Sequence, residues 1–189
     1  TIPAGTTAIV AGLRVDEPNL TATGTITEAA SVYIEAAPTE GGLNFALHVD
    51  DGATRLDGQV YIRSATEPVK KIAATTDATA GASTYTIAQM LGGLILRDPA
   101  GASRSDVTPT AAAIVAGIVG AAVDDTFETW LVNTADAAEV ITVTAGAGVT
   151  LIPASITIAQ NENAKLLVRL TNVTGASEAV TVYAIVAGG

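Results

Sequence analysis

The residues of this chain best suited to chemistry stand together in 48-HVDDGATRLDGQVYI-62, where the only histidine, His48, is followed by Asp50, Asp51 and Asp57. A histidine beside carboxylates suggests general-base catalysis, with His48 taking a proton from a nucleophile or substrate, or cation binding by the aspartates. The surrounding sequence completes neither. No serine sits in a G-x-S-x-G elbow, and one histidine without cysteine is a thin ligand set for zinc. Asp50 and Asp51 are adjacent, so within a strand they face opposite sides instead of following the alternate spacing of a calcium loop. Phe45, Leu47 and Val49 alternate with Ala46 and His48, the period of a half-buried strand, and Asp51-Gly52 and Asp57-Gly58 are tight-turn signals. The stretch reads as turns in a β-meander. A looser calcium site built from turn carbonyls and one or two of Asp50, Asp51 and Asp57 is the competing reading. No catalytic, cofactor-binding or metal-binding residue is assigned, and no cofactor is expected.

Other motifs carry less. The segments 92-GGLILRDPAG-101 and 117-GIVGAAV-123 lack the spacing and the lysine of a phosphate-binding loop. Arg97 and Arg104 bracket a Ser/Asp/Gly-rich loop and Lys70 and Lys71 sit in a polar stretch; they read as solvated loop charges in preference to contacts with an acidic partner. Trp130 lies beside Leu131 and Val132 in a strand-like run and is expected to pack in the core. The sequons at Asn19 and Asn172 gain meaning only in a secretory pathway, and 1-TIPAGTTAIV-10 has no basic region followed by an apolar one, so no secretory signal is expected.

Composition narrows the function classes. The formal charge is -10, from 19 acidic and 9 basic residues, which disfavours nucleic acid and anionic membrane as partners. Charged residues are only 15% of the chain, below the roughly 25% usual for soluble proteins, so much of the surface is neutral and small and suits burial against other subunits. There is no cysteine, which excludes disulfides and thiolate chemistry. Aromatics make up 4% against 49% hydrophobic residues, so the core is aliphatic. The longest apolar run, 111-AAAIVAGIVGAAV-123, falls short of the roughly 20 residues that span a bilayer and is expected to be a buried segment.

The elements that must position these residues are mostly strands. The runs 7-TAIVAGLRV-15, 20-LTATGTIT-27, 31-SVYIEA-36, 44-NFALHV-49 and 58-GQVYIR-63 predict a β-rich N-terminal region over 1–64. Residues 65–84 are small and polar and read as a linker or extended arm. Residues 85–189 predict a domain. It opens with one or two strands and a Pro/Gly turn over 85–106, then one short helix over 108–117 with Thr108 as cap, Pro109 in the first turn and Gly117 at the end. Strands follow at 126–133, 139–145, 149–152, 155–159, 164–171 and 178–186. The fold class expected is mainly β, an antiparallel sandwich or jelly-roll-like C-terminal half with a β-meander before it. The segments 131-LVNTADAAEVITVTAG-146 and 170-LTNVTGASEAVTVYAI-185 match at seven of sixteen positions, which similar hairpin turn chemistry explains better than duplication.

The segments 36-AAPTEGGLNFALHVDDGATRLDGQVYI-62, 91-LGGLILRDPAGASRSDVTPTAAAIVAGI-118 and 131-LVNTADAAEVITVTAGAGVTL-151 resemble stretches of virion structural proteins of tailed bacteriophages, over less than half the chain. The resemblance implies a β-rich assembly protein without catalysis or cofactor, made in the host cytoplasm and carried on the virion. One expectation is a capsid decoration (cement) protein, a homotrimer bound to the major capsid protein on the outer surface of the head. The alternative is a head or tail fibre or spike module for host attachment, although long repeats and clustered aromatics are lacking. A third reading, a polysaccharide-cleaving enzyme, requires two carboxylates flanking a cleft, a pairing that sequence alone does not supply.

Overall fold

The computed structural model describes residues 71–187, together with Thr54. The expected strands before residue 64, and with them His48, Asp50, Asp51 and Asp57, lie outside the described residues. The chain divides into units Thr1–Gly58 and Gln59–Gly189, and every element below belongs to the second.

Among the described residues, nine strands and two short helices follow one another as β1 (Ala73–Asp77), α1 (Ile87–Gly92), β2 (Gly93–Arg97), β3 (Arg104–Val107), α2 (Ala111–Ala116), β4 (Thr126–Asn133), β5 (Ile141–Thr144), β6 (Val149–Ile152), β7 (Ile156–Ile158), β8 (Asn163–Asn172) and β9 (Ala179–Ala187). They form a six-stranded sheet in the order β1-β2-β4-β8-β9-β6 and a three-stranded sheet in the order β3-β5-β7. The mainly β class and the sandwich-like layering are as the sequence predicts, but the sheets are mixed. Pairs β1-β2, β2-β4, β3-β5 and β6-β9 are parallel, and β4-β8, β8-β9 and β5-β7 antiparallel. The connectivity explains this. From β2 to β8 every connection passes from one sheet to the other, so strands that neighbour each other within a sheet are separated by a return through the opposite layer.

Alternation fills the space between the layers. Leu131 on β4, Ala164, Leu166, Val168 and Leu170 on β8, and Val180 and Val182 on β9 meet Ile141 and Val143 of β5 and Ile156 and Ile158 of β7 in one buried cluster. Each buried aliphatic side chain of Val, Leu or Ile size contributes about 1.5–3 kcal/mol. Asn133 is buried among them, its Nδ2 donating to the carbonyls of Glu139 (2.8 Å) and Ile158 (3.0 Å) and its Oδ1 accepting from the Ala135 amide (3.0 Å).

Three local expectations are corrected. Residues 87–92 are helical, because Thr86 and Gln89 form a reciprocal capping box and Gly93, at φ 91°, closes the helix in the left-handed region. The second helix is capped by Thr110, whose side chain accepts from the Ala113 amide; Thr108 is buried instead, its hydroxyl accepting from the Gly146 amide at 2.9 Å. The apolar run 111–123 is only partly buried, with Ala111 and Ile114 in the core but Val119 and Val123 exposed, since the helix ends at Ala116 and the rest is turn. The stretch 65–84 contributes β1, an edge strand whose only buried residue is Asp77.

The internal echo has a physical basis. Asn133 Oδ1 accepts from Ala135 and Asn172 Oδ1 from Thr174 (2.9 Å), the same turn at matching positions. The segments are nevertheless not equivalent hairpins: β4 and β5 lie in different sheets, whereas β8 and β9 pair.

Candidate functional site

Among the described residues the densest polar constellation is centred on Arg97. Sequence reading places this arginine in solvent next to the Asp98-Pro99 turn, but it shares the inward parity of Ile95 on β2 and its side chain is 0% exposed. Its Nε donates to Asp106 Oδ2 at 2.8 Å and Nη2 to Asp106 Oδ1 at 3.3 Å, so the ion pair joins the two sheets through β2 and β3. Nη1 donates to the carbonyls of Thr79 (2.8 Å) and Asp98 (2.5 Å), and Nη2 to that of Gly81 (2.5 Å). Asp106 also accepts from the Tyr85 hydroxyl (2.7 Å) and the Ser83 amide (2.7 Å). Asp77, at the end of β1, accepts from the Ser83 hydroxyl and from the Thr79 amide (3.0 Å), and lies 3.8 Å from Arg97 Nη1.

The chemistry of this cluster follows from its saturation. Each guanidinium nitrogen already donates, both Asp106 oxygens accept twice, and burial followed by the bond to Asp106 pushes the Tyr85 hydroxyl well above its ordinary range, so it keeps its proton. What the arrangement does is tie β1, the 78–83 loop, β2 and β3 together, as a fully satisfied polar network can. Arg104 differs from its neighbour only in degree: partly exposed, it donates to the carbonyls of Pro99 and Ala80 at 3.3 Å each. Lys71 is exposed, as expected of a solvated charge.

Asp77 makes this network sensitive to acid. Burial alone would raise its carboxyl, but the hydrogen bonds from Ser83 and Thr79, with the charge of Arg97, hold it below the ordinary value of 3.8. A depressed folded-state value means that the contribution is complete above that ordinary value and disappears as pH falls through the lower folded one. Melting temperature followed from pH 6 to pH 2 is expected to fall more steeply below about pH 4 in the wild type than in Asp77→Asn, which starts lower at neutral pH. Parallel slopes for the two proteins would assign the acid response to other groups.

The second candidate is the outer face of the six-stranded sheet. Cross-strand register places Leu94, Trp130, Lys165 and Ile185 in one row over β2, β4, β8 and β9, and Glu128, Leu167, Tyr183 and Ile152 in the next over β4, β8, β9 and β6. Trp130 is thus not in the core. It is 39% exposed, Ile185 71% and Ile152 48%, and Leu167 is also exposed, on a face where a sheet open to water normally carries polar side chains. Among the described residues, Lys165 and Arg169 on this face are each paired within the chain. Lys165 Nζ lies 2.8 Å from Glu128 and 5.9 Å from the Trp130 ring centre, and Arg169 donates to Asp124 through Nε (2.9 Å) and Nη2 (2.6 Å). The signal for this face was available in parity: Trp130 alternates with Thr129 and Leu131, which are buried, and shares a side with the exposed Thr126 and Glu128.

Among the described residues no three metal-ligating side chains gather in one place, and no helix is long and apolar enough to cross a membrane. Compared with protein-family models, with curated proteins and with solved structures, the chain finds no match.

Proposed function

We propose that the protein is a structural component of a phage virion, a decoration (cement) protein that binds the outer surface of an assembled head and stabilises it by burying neutral surface between subunits. The observation that carries this reading is the outer sheet face, where apolar rows with internally paired charges stand exposed on an otherwise acidic chain. Such patches suit partner surfaces, and the small share of charged residues lowers the desolvation that any large interface demands. The resemblance of residues 36–62, 91–118 and 131–151 to virion structural proteins points the same way. A protein that binds the assembled shell and not the free shell subunit stabilises the shell by mass action. Its partners in this reading are the major capsid protein and further copies of itself, and it acts without a cofactor.

Heads lacking the protein, mixed with the purified chain and imaged by cryo-electron microscopy, are the test. The expected result is about one copy per shell subunit, in line with a shared interface repeated over the lattice, and a raised disruption temperature of the loaded heads. A few copies confined to one vertex would replace this reading with a fibre or spike module, and no binding would remove it.

A further inference from the structure

We infer that residues 73–84, β1 with the loop that follows it, form a polar latch that opens as a unit while the rest of the sandwich stays folded, and that Asp77 is its catch. Of the twelve residues from Ala73 to Thr84 only Asp77 is buried, and the others are Ala, Thr, Ser and Gly. The hydrophobic cluster of the described residues begins at Tyr85, so none of its members lies in this segment. Opening therefore removes almost no apolar burial, the contribution that makes core strands open only with the whole domain.

What holds the segment is polar. β1 pairs in parallel with β2 from Ala73 opposite Gly93 to Asp77 opposite Arg97. The Asp98 amide donates to the Asp77 carbonyl at 2.9 Å, Arg97 donates to the carbonyls of Thr79 and Gly81, and Arg104 reaches that of Ala80. On the β3 side, the Val107 amide donates to the Ser83 carbonyl at 2.8 Å and Asp106 accepts from the Ser83 amide. Asp77 closes the loop on itself, accepting from the Ser83 hydroxyl and the Thr79 amide beside the Arg97 guanidinium. On opening, Arg97 exchanges the Thr79 and Gly81 carbonyls for water while Nε keeps Asp106 and Nη1 keeps the Asp98 carbonyl, so no charge is stranded. The sheet edge changes with it. Among the described residues the closed sheet ends in β1, a five-residue strand of small side chains; the open one ends in β2, Gly93–Arg97, an apolar strand with a row of backbone groups free to pair.

Acid releases the catch, because discharging Asp77 weakens both of its hydrogen bonds and removes one counter-charge of Arg97. Among the described residues the charged and titratable groups around it are Arg97 on β2, Asp106 on β3 and Tyr85, with Asp98 and Arg104 at the rim of the loop. Hydrogen exchange of the full chain, read by mass spectrometry and corrected for intrinsic rates, tests the latch. At neutral pH the 73–84 amides are expected to exchange at least ~10-fold faster than those of β8 and β9, and with a weaker dependence on urea, as a subglobal opening does. At about pH 2.5, below the ordinary carboxylate range, 73–84 lose their protection while β8 and β9 keep theirs. Asp77→Asn brings at least ~10-fold faster exchange to 73–84 already at neutral pH, with β8 and β9 still the better protected. Val168→Ala, in the core on β8, accelerates β8 and β9 and leaves 73–84 unchanged. Exchange of 73–84 that follows β8 and β9 in rate and urea dependence, or that Val168→Ala accelerates by the same factor as theirs, overturns the latch, since the segment would then open only with the whole domain. So does an Asp77→Asn chain whose β8 and β9 exchange as fast as 73–84. Wild-type protection of 73–84 in Asp77→Asn overturns Asp77 as the catch.

Discussion

Asp106→Ala is expected to lower stability by about 3–5 kcal/mol, the usual cost of removing one member of a buried ion pair. For a unit of this size that corresponds to a melting temperature lower by roughly 10–20 °C. The loss arises less from the attraction forfeited than from what remains. Arg97 stays fully buried with Nε unpartnered, and the Tyr85 hydroxyl and Ser83 amide lose their shared acceptor. The carbonyls of Thr79, Gly81 and Asp98 still hold the guanidinium, so it cannot swing into water without unfastening the 78–83 loop. Joint replacement, Arg97→Met with Asp106→Leu, removes the uncompensated buried charge and is expected to recover only part of the loss, because the Tyr85 hydroxyl, the Ser83 amide and the carbonyls of Thr79, Gly81 and Asp98 stay without their partners. A thermal or urea denaturation cycle over the wild type, Arg97→Met, Asp106→Leu and the double variant measures the coupling. A single-variant loss under about 1 kcal/mol would mean that Arg97 reaches solvent easily and that the two sheets are not held by this pair.

The same pair shows where sequence reading stops. Arg97 and Asp106 are nine residues apart, separated by Asp98-Pro99-Ala100-Gly101, and that turn makes both look like loop charges. Their burial follows from a decision no local pattern encodes, that β2 and β3 enter different sheets and face each other. Strand parity did hold a clue, since Arg97 alternates with Leu96 as Ile95 does with Leu94. Where burial alternates along one strand, the sequence was readable: β4 and β6 occupy the ranges expected of them, and β8 and β9 lie within a residue or two. The first helix was hidden because six residues are too few for an amphipathic period; its legible mark was the Thr86/Gln89 box followed by Gly93. Mixed pairing was hidden for another reason. Asn133 and Asn172 make the same Asx turn, yet one leads into the opposite sheet and the other into a hairpin, so turn chemistry alone does not tell them apart. The apolar outer face required register as well as parity, because only cross-strand pairing gathers Trp130, Leu167, Ile185 and Ile152.

Gly148→Ala is expected to destabilise the protein by about 3 kcal/mol, the sum of two penalties that other glycines of this chain separate. Gly148 adopts φ +76°, and a Cβ there would stand 2.8 Å from the Glu178 carbonyl oxygen and 2.9 Å from the Ala111 Cβ. These neighbours cannot give way cheaply. Val180 donates to the Gly148 carbonyl at 3.1 Å at the start of β9, and Ala111 donates to the Ala147 carbonyl at 2.8 Å as α2 begins, so three elements are anchored to one short turn. Gly120, at φ +66° with nothing within 4 Å of its built Cβ, carries the conformational penalty alone, and its alanine variant is expected to cost about 1–2 kcal/mol. Gly175 has neither feature, and alanine there is expected to be neutral or to stabilise by a few tenths of a kcal/mol, by reducing the freedom of the unfolded chain. Urea denaturation of the three variants gives the packing cost at Gly148 as its excess over Gly120. Equal losses at the two positions would show that the β5-β6 turn relaxes away from α2 and β9, and the junction would then be an adjustable contact instead of a fixed one.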